Sequence, residues 1–237
     1  MPGKTYLITG ANRGLGLEFV QQIISASPDN TVIACVRSLQ GELDTLKSLA
    51  SSNNAKIHIV ECDTSSVDSI KKASAEISKL LSGQQLNYLL NNAGINSVSS
   101  QTALTISPAD LHTHIDTNVI GPSELFKALY EYLGPGSVVL NMSSGLGSSG
   151  KGIVKCATYA VSKAALNMLT VHQADALKEK KAVAIVMDPG WVKTRMGGEG
   201  AILTPEESIK GMLKTLHSVT VQESGRFYQY DGQIVPW

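Results

Sequence analysis

The sequence predicts an α/β fold: a single doubly wound parallel sheet of about seven strands with helices on both faces. Three observations predict it. Short apolar, β-branched runs alternate with longer stretches whose apolar residues recur at helical spacing. A glycine-rich turn follows the first run and opens the first helical stretch. Asn, Asp and Ser residues then gather at the C-terminal ends of later runs, the edge at which open α/β sheets hold their ligands.

The runs are 5–9, 31–36, 56–61, 86–91, 137–142 and 182–187, and the helical stretches include 15–26, 67–81, 108–133 and 157–179. Such a rhythm argues for repeated βαβ units and a sheet covered on both faces. No internal repeat, low-complexity tract or long linker precedes Gly197, so 1–237 reads as one domain. Only the piece after Gly197 leaves the rhythm.

Composition excludes several classes. The 237 residues are 43% hydrophobic and 17% charged, an ordinary globular balance and not a disordered one. Twenty Lys+Arg offset twenty Asp+Glu, so no field of one sign recommends nucleic acid or an anionic membrane. Cys35, Cys62 and Cys156 lack C-x-x-C spacing, and no histidine shows metal or triad spacing, so neither a disulfide framework nor a metal site is expected. The start at Met1-Pro2-Gly3-Lys4 reads as no leader, and no apolar stretch nears the ~18 residues a membrane span needs. The expected compartment is the cytoplasm.

After the first run comes Thr9-Gly10-Ala11-Asn12-Arg13-Gly14-Leu15-Gly16. Missing side chains there let backbone amides and a helix N-terminus approach a pyrophosphate, the phosphate cradle of a Rossmann-type fold. The second run ends at Cys35-Val36-Arg37-Ser38, where a fold that takes NAD(H) would carry an acid for the ribose 2′-hydroxyl. Arg37 and Arg13 instead offer charge-assisted bonds to a 2′-phosphate, which favours NADP(H) over NAD(H); the alternative is two solvated surface charges.

The third run leads to Asp63-Thr64 and the fourth to Asn91-Asn92-Ala93-Gly94. Asn118 is a polar amide within an otherwise apolar helical stretch, where it is either functional or a satisfied buried group. The fifth run ends in Ser143-Ser144-Gly145, and either hydroxyl can donate to a carbonyl oxygen. No His-Asp pair and no G-x-S-x-G pattern accompany them, which argues against a hydrolase.

Tyr159 and Lys163 stand four residues apart in an unbroken helical stretch, so the phenol and the amine share one helix face. A fixed positive charge lowers a phenol's pKa and suits it to general acid or base work. A lone Tyr-Lys pair at this spacing is a surface pair; its company decides otherwise.

Taken in order, these motifs resemble the short-chain dehydrogenase/reductase family over essentially the whole chain. They are Thr9 to Gly16, Asp63, Asn91 to Gly94, Asn118, Ser144, Tyr159-x-x-x-Lys163 and Pro189-Gly190. The stretch from Asp188 to Gly198, Leu203 to Ser208, and the ending from Tyr230 to Trp237 resemble the C-factor and sniffer-like carbonyl reductase branch, to which norsolorinic-acid-type ketoreductases also look related.

The resemblance implies a hydride transfer between NADP(H) and a ketone, aldehyde or secondary alcohol. It gives Tyr159 the proton, Ser144 the carbonyl oxygen (with Ser143 a lesser candidate) and Asn118 a water in the proton path. Lys163 would bind the nicotinamide ribose and depress the Tyr159 pKa, helped by the charge of the oxidised nicotinamide. Tyr159 also belongs to the coenzyme set, which Gly10, Asn12, Arg13, Gly14, Leu15, Gly16, Arg37, Asp63, Thr64, Asn92, Ala93, Gly94, Pro189, Gly190, Val192 and Thr194 complete. A coenzyme-binding redox sensor without turnover is the competing class.

Two departures from the family pattern stand out. The gap from Ser144 to Tyr159 is longer by about two residues, and the segment from Gly197 to about Thr204 looks short. A relatively open cleft for bulky or planar carbonyl compounds is the expectation. Trp191 either lines it or packs on the sheet. Copies that associate would do so through the helices at 108–133 and 157–179.

Overall fold

The computed structural model describes residues 3–52 and 56–237; Met1 and Pro2, part of the chain start interpreted above, lie outside them. Seven strands form one all-parallel sheet: β1 (Thr5–Thr9), β2 (Thr31–Val36), β3 (Lys56–Glu61), β4 (Tyr88–Asn91), β5 (Val138–Met142), β6 (Val183–Asp188) and β7 (Phe227–Gln229). Their order is β3-β2-β1-β4-β5-β6-β7. The chain therefore winds outward from β1 in one direction and from β4 in the other, leaving a crevice between the C-terminal ends of those two strands.

Burial follows from position in the sheet. Every residue of β5 and β6 is buried, because helices cover both faces. The edge strand β3 exposes Lys56, His58 and Glu61, and charges on an edge discourage pairing with another chain.

The helices are α1 (Gly14–Ala26), α2 (Asp44–Ser51), α3 (Val67–Leu81), α4 (Pro108–Ile115), α5 (Gly121–Leu129), α6 (Ala157–Ala176) and α7 (Pro205–Ser218). On one face Phe19, Val20 and Ile23 of α1, Leu46 of α2, and Ile209, Met212 and Leu216 of α7 pack against Ile8, Ala34 and Ile185. On the other, Ile70 and Ile77 of α3, Leu125 and Leu129 of α5 and Ala174 of α6 pack against Leu7, Ile33 and Val139. No helix of the described residues is long and apolar enough to cross a membrane.

The helix expected over 108–133 is not continuous. It breaks into α4, a π-helical turn at Asp116–Ile120, α5 and a 3-10 turn at Tyr130–Tyr132. Pro122 is the physical reason: it has no N–H to give the carbonyl of Asn118, and its ring crowds that carbonyl in a regular α-helix. Gly121 lies hard against Thr64, where a Cβ would come within 2.5 Å of the carbonyl oxygen. The last expected helix stops at Ala176 and not at 179, and the chain turns at Lys181 with φ 53. Strands expected from 86, 137 and 182 begin one or two residues later.

Candidate active site

The site is built where β1, β4, β5 and β6 end. Gly10 (φ 67) and Gly14 (φ 53) hold left-handed backbone that a side chain would strain, and a Cβ on Gly16 would collide with the carbonyl oxygen of Gly10. The turn is tied down on both sides. Ala11 N donates to Cys35 O at 3.1 Å, Asn92 Nδ2 to Thr9 O at 2.8 Å, and Ala93 N to Thr9 Oγ1 at 2.9 Å.

Asn92 and Ala93 therefore shape the cradle through its backbone. Arg13 precedes α1 without a side-chain cap, so the first N–H groups of that helix have no capping side chain. Asn12 Nδ2 reaches Glu42 O at 3.3 Å, and Leu15 is half-buried.

Arg13 and Arg37 are both exposed beside this turn, and neither is in an ion pair among the described residues. Asp63 Oδ1 accepts from Ser65 N at 3.0 Å and Ser65 Oγ at 2.7 Å, while Thr64 is buried against Gly121. Across the cleft, Thr194 Cγ2 stands 3.6 Å from where a Gly14 Cβ would be. Its Oγ1 accepts from Gly197 N at 3.2 Å, and Val192 is buried and bridged to Leu203. Asp188 Oδ1 accepts from Gly190 N at 3.0 Å, and Pro189 O from Ser208 Oγ at 2.7 Å, which holds the Pro-Gly corner.

Gly94 is the meeting point of the second half of the site. A Cβ there would be 3.1 Å from Asn118 Oδ1 and 3.3 Å from Lys163 Nζ. Asn118 is fully buried in the π turn: its Oδ1 accepts from Ile95 N at 2.9 Å, and its Nδ2 donates to Ile95 O at 3.0 Å and Ser162 Oγ at 2.9 Å. Lys163 Nζ donates to Met142 O at 2.8 Å and lies 5.5 Å from the centre of the Tyr159 ring.

The two serines separate. Ser143 is buried and donates to Asn167 Oδ1 at 2.6 Å, whereas Ser144 is half-buried and faces the phenol of Tyr159.

The electrostatics depart from the sequence expectation. The Tyr159 hydroxyl is held well above the ordinary phenol value, by burial first and by the Asp188 carboxylate second, with Cys156 adding and the Ser144 hydroxyl opposing. Burial pulls the Lys163 amine itself down to about 7, and the Met142 carbonyl accepts its hydrogen bond at 2.8 Å. The phenol consequently keeps its proton at neutral pH.

Three features were not foreseen. Trp191 is exposed and stands outside the two cores that pack on the sheet. Its Nε1 donates to Gly197 O at 2.7 Å and its ring lies on Gly200, so it clamps the short segment after the Pro-Gly corner. The extra length between Ser144 and Tyr159 folds as a 3-10 turn at Gly145–Gly147 and a loop pinned to the C-terminus, with Gly150 N donating to Trp237 O at 2.6 Å and Ser148 Oγ to Pro236 O. Lys151 of that loop pairs with Asp188.

A doubly wound sheet with a glycine cradle at its switch point, and a buried Tyr-Lys pair beside a strand-end serine, defines a dinucleotide-type oxidoreductase fold. The chain belongs to the short chain dehydrogenase family, whose model matches residues 4–201.

It is similar to the NADPH-bound carbonyl reductase from chicken fatty liver, at 34% identity and a TM-score of 0.92 over 100% of both chains. It is also similar to the carbonyl reductase Sniffer of D. melanogaster, at 32% identity and a TM-score of 0.91 over 100% of both. Among curated proteins, norsolorinic acid ketoreductase nor1 of Dothistroma septosporum is 29% identical over 98% of this chain and 92% of its own.

Proposed function

We propose that this chain, acting as one domain, is an NADPH-dependent carbonyl reductase that takes a ketone or aldehyde to its alcohol. The observation that carries the reading is the grouping of Asn118 and Lys163 at Gly94 with Tyr159 and Ser144 beside Lys163, on the strand end next to the one that carries the glycine cradle. The names of the similar solved structures support the coenzyme and the substrate class.

The residues present fit a dinucleotide. Two glycines at positive φ, a third that admits no Cβ and an uncapped helix start make a backbone surface for a pyrophosphate. Arg13 and Arg37 would hold the 2′-phosphate, Asp63 and Thr64 the adenine side, Gly94 and Lys163 the nicotinamide ribose, and Pro189, Gly190, Val192 and Thr194 the carboxamide. When bound, the reduced nicotinamide supplies hydride to the carbonyl carbon.

The chain's own groups do the rest. Ser144 donates to the carbonyl oxygen and fixes its position. Tyr159 releases its proton to that oxygen as charge develops there, and Lys163 and an Asn118-held water refill it. A phenol that bears its proton at neutral pH suits the reductive direction.

Purified protein incubated with NADPH and a panel of bulky and planar ketones and aldehydes is expected to consume NADPH, followed at its nicotinamide absorbance. Tight NADPH binding with no turnover across the panel would make the protein a coenzyme sensor.

Arg37→Asp is expected to move the coenzyme preference toward NADH by at least ~10-fold in relative kcat/KM, since it removes a phosphate partner and adds repulsion. An unchanged preference would release Arg37 from the coenzyme site.

A further inference from the structure

Lys151, Asp188 and Gln229 meet at the C-terminal ends of β6 and β7, and no step above uses them. Lys151 Nζ lies 3.7 Å from Asp188 Oδ2 and 3.4 Å from Gln229 Oε1. The other oxygen of the carboxylate is anchored by Gly190 N at 3.0 Å. The pair presses on the turn that carries Ser144: a Cβ on Gly145 would stand 2.9 Å from Asp188 Oδ2 and 3.1 Å from Lys151 Nζ. Only a glycine directly after Ser144 lets these charges lie so close to the cleft. The side chains are 12% (Asp188) and 27% (Lys151) exposed, so solvent and salt screen them less than a surface pair.

We propose that Asp188 and Lys151 are positioning residues that set the field at the Tyr159 hydroxyl, the carboxylate holding the proton on the phenol and the ammonium limiting that hold. The proposal rests on the reading of Tyr159 as the proton donor. A negative charge beside a phenol favours its neutral form and a positive charge its phenolate.

The remaining groups that bear on the hydroxyl are few. Cys156 stands at the start of α6, Lys163 lies one turn further on, and β5 leads into the neutral Ser144 hydroxyl. From the π turn comes the neutral Asn118. His114 of α4 is turned away, toward Asp110 O at 2.8 Å and Ser97 N at 3.3 Å. Asp188 is thus the one carboxylate among the described residues that acts on the phenol, and Lys151, 3.7 Å from it, is its counterion. The pair extends the proton-bearing form of Tyr159 toward higher pH.

The test follows the ionisation of Tyr159 without needing turnover. Protein labelled with carbon-13 at the tyrosine ζ carbon is titrated by NMR with and without NADP+, and Tyr159→Phe assigns the signal. Asp188→Asn, which keeps the shape of the side chain, is expected to ionise lower than wild type by on the order of one pH unit. Adding Lys151→Met to Asp188→Asn should move the ionisation back up, and Lys151→Arg alone should leave the wild-type curve.

The pH profile of NADPH-driven turnover should shift in the same directions. Equal titration curves for all variants, or shifts of the same sign from removing either charge, would overturn the proposal. A titration that follows the pair while turnover ignores Tyr159→Phe would uphold the field and refute the proton-donor reading instead.

Discussion

Replacing Tyr159 with phenylalanine is expected to lower kcat by about 10²–10⁴, the usual contribution of a positioned proton donor. The ring is 9% exposed, and phenylalanine fills the same volume, so packing beneath it should not change. Coenzyme affinity, measured by fluorescence titration with NADPH, should stay near the wild-type value, because the cradle lies at Gly10, Gly14 and Gly16 and not at the phenol. A variant with near-normal turnover would remove Tyr159 from the chemistry. Loss of coenzyme binding in parallel would point to a folding defect and not to a lost proton.

Replacing Lys163 with methionine is expected to abolish most turnover and to change stability in a pH-dependent way. Burial holds the folded-state pKa at about 7 against the ordinary lysine value of 10.5, so the unfolded chain binds the proton more tightly. Unfolding therefore takes up a proton between those values, and wild-type stability rises with pH through that window. Below about 7 the full cost of burying the charged amine is borne.

Removing the amine lifts that cost but orphans the Met142 carbonyl, which accepts its hydrogen bond at 2.8 Å. The balance at pH 6 is a gain of about 2–4 kcal/mol for Lys163→Met. Denaturant melts at pH 6 and 9 check the sign: the advantage should shrink as pH rises. A variant less stable than wild type at pH 6 would show that the buried ammonium is better compensated than its surroundings indicate.

Much of the site is local in the chain and so was legible. The glycines from Gly10 to Gly16 lie within one strand-to-helix turn, and Tyr159 and Lys163 share a helix face by spacing alone. The six strand positions were marked by β-branched runs, three of them with starts one or two residues early.

Two elements carried signals that went unread. The start of α7 is a capping box, Thr204 with Glu207 three residues on and Pro205 between, and the reciprocal bonds form. The helix α2 carries Asp44 in its first turn and buries Leu46. The strand β7, three residues long, has too little pattern to mark it.

Other features have no signature in any short window. The inner face of α6 buries Thr158, Ser162, Lys163, Asn167, Thr170 and Gln173 while Val161 and Met168 are exposed, so periodicity alone would turn the helix the wrong way. Several of those polar groups find partners across the chain: Asn141 Nδ2 bonds Thr170 Oγ1 at 2.7 Å and Gln173 Oε1 at 2.6 Å, and Asn91 Nδ2 bonds Asn141 Oδ1 at 2.8 Å, while Gln173 Nε2 and Asn91 Oδ1 have no partner among the described residues.

What the sequence determined by itself was the sheet, its winding and the types of reactive group at its C-terminal edge, because strand propensity, glycine turns and helix spacing act over a few neighbouring residues. The tertiary structure alone decided which serine faces the cleft, that Asn118 sits on a π turn, that Trp191 clamps a loop, and that burial pushes the phenol's pKa up and not down. Each of these depends on burial and on charges brought together from distant segments, and the energy of a buried charge is set by its neighbours in space.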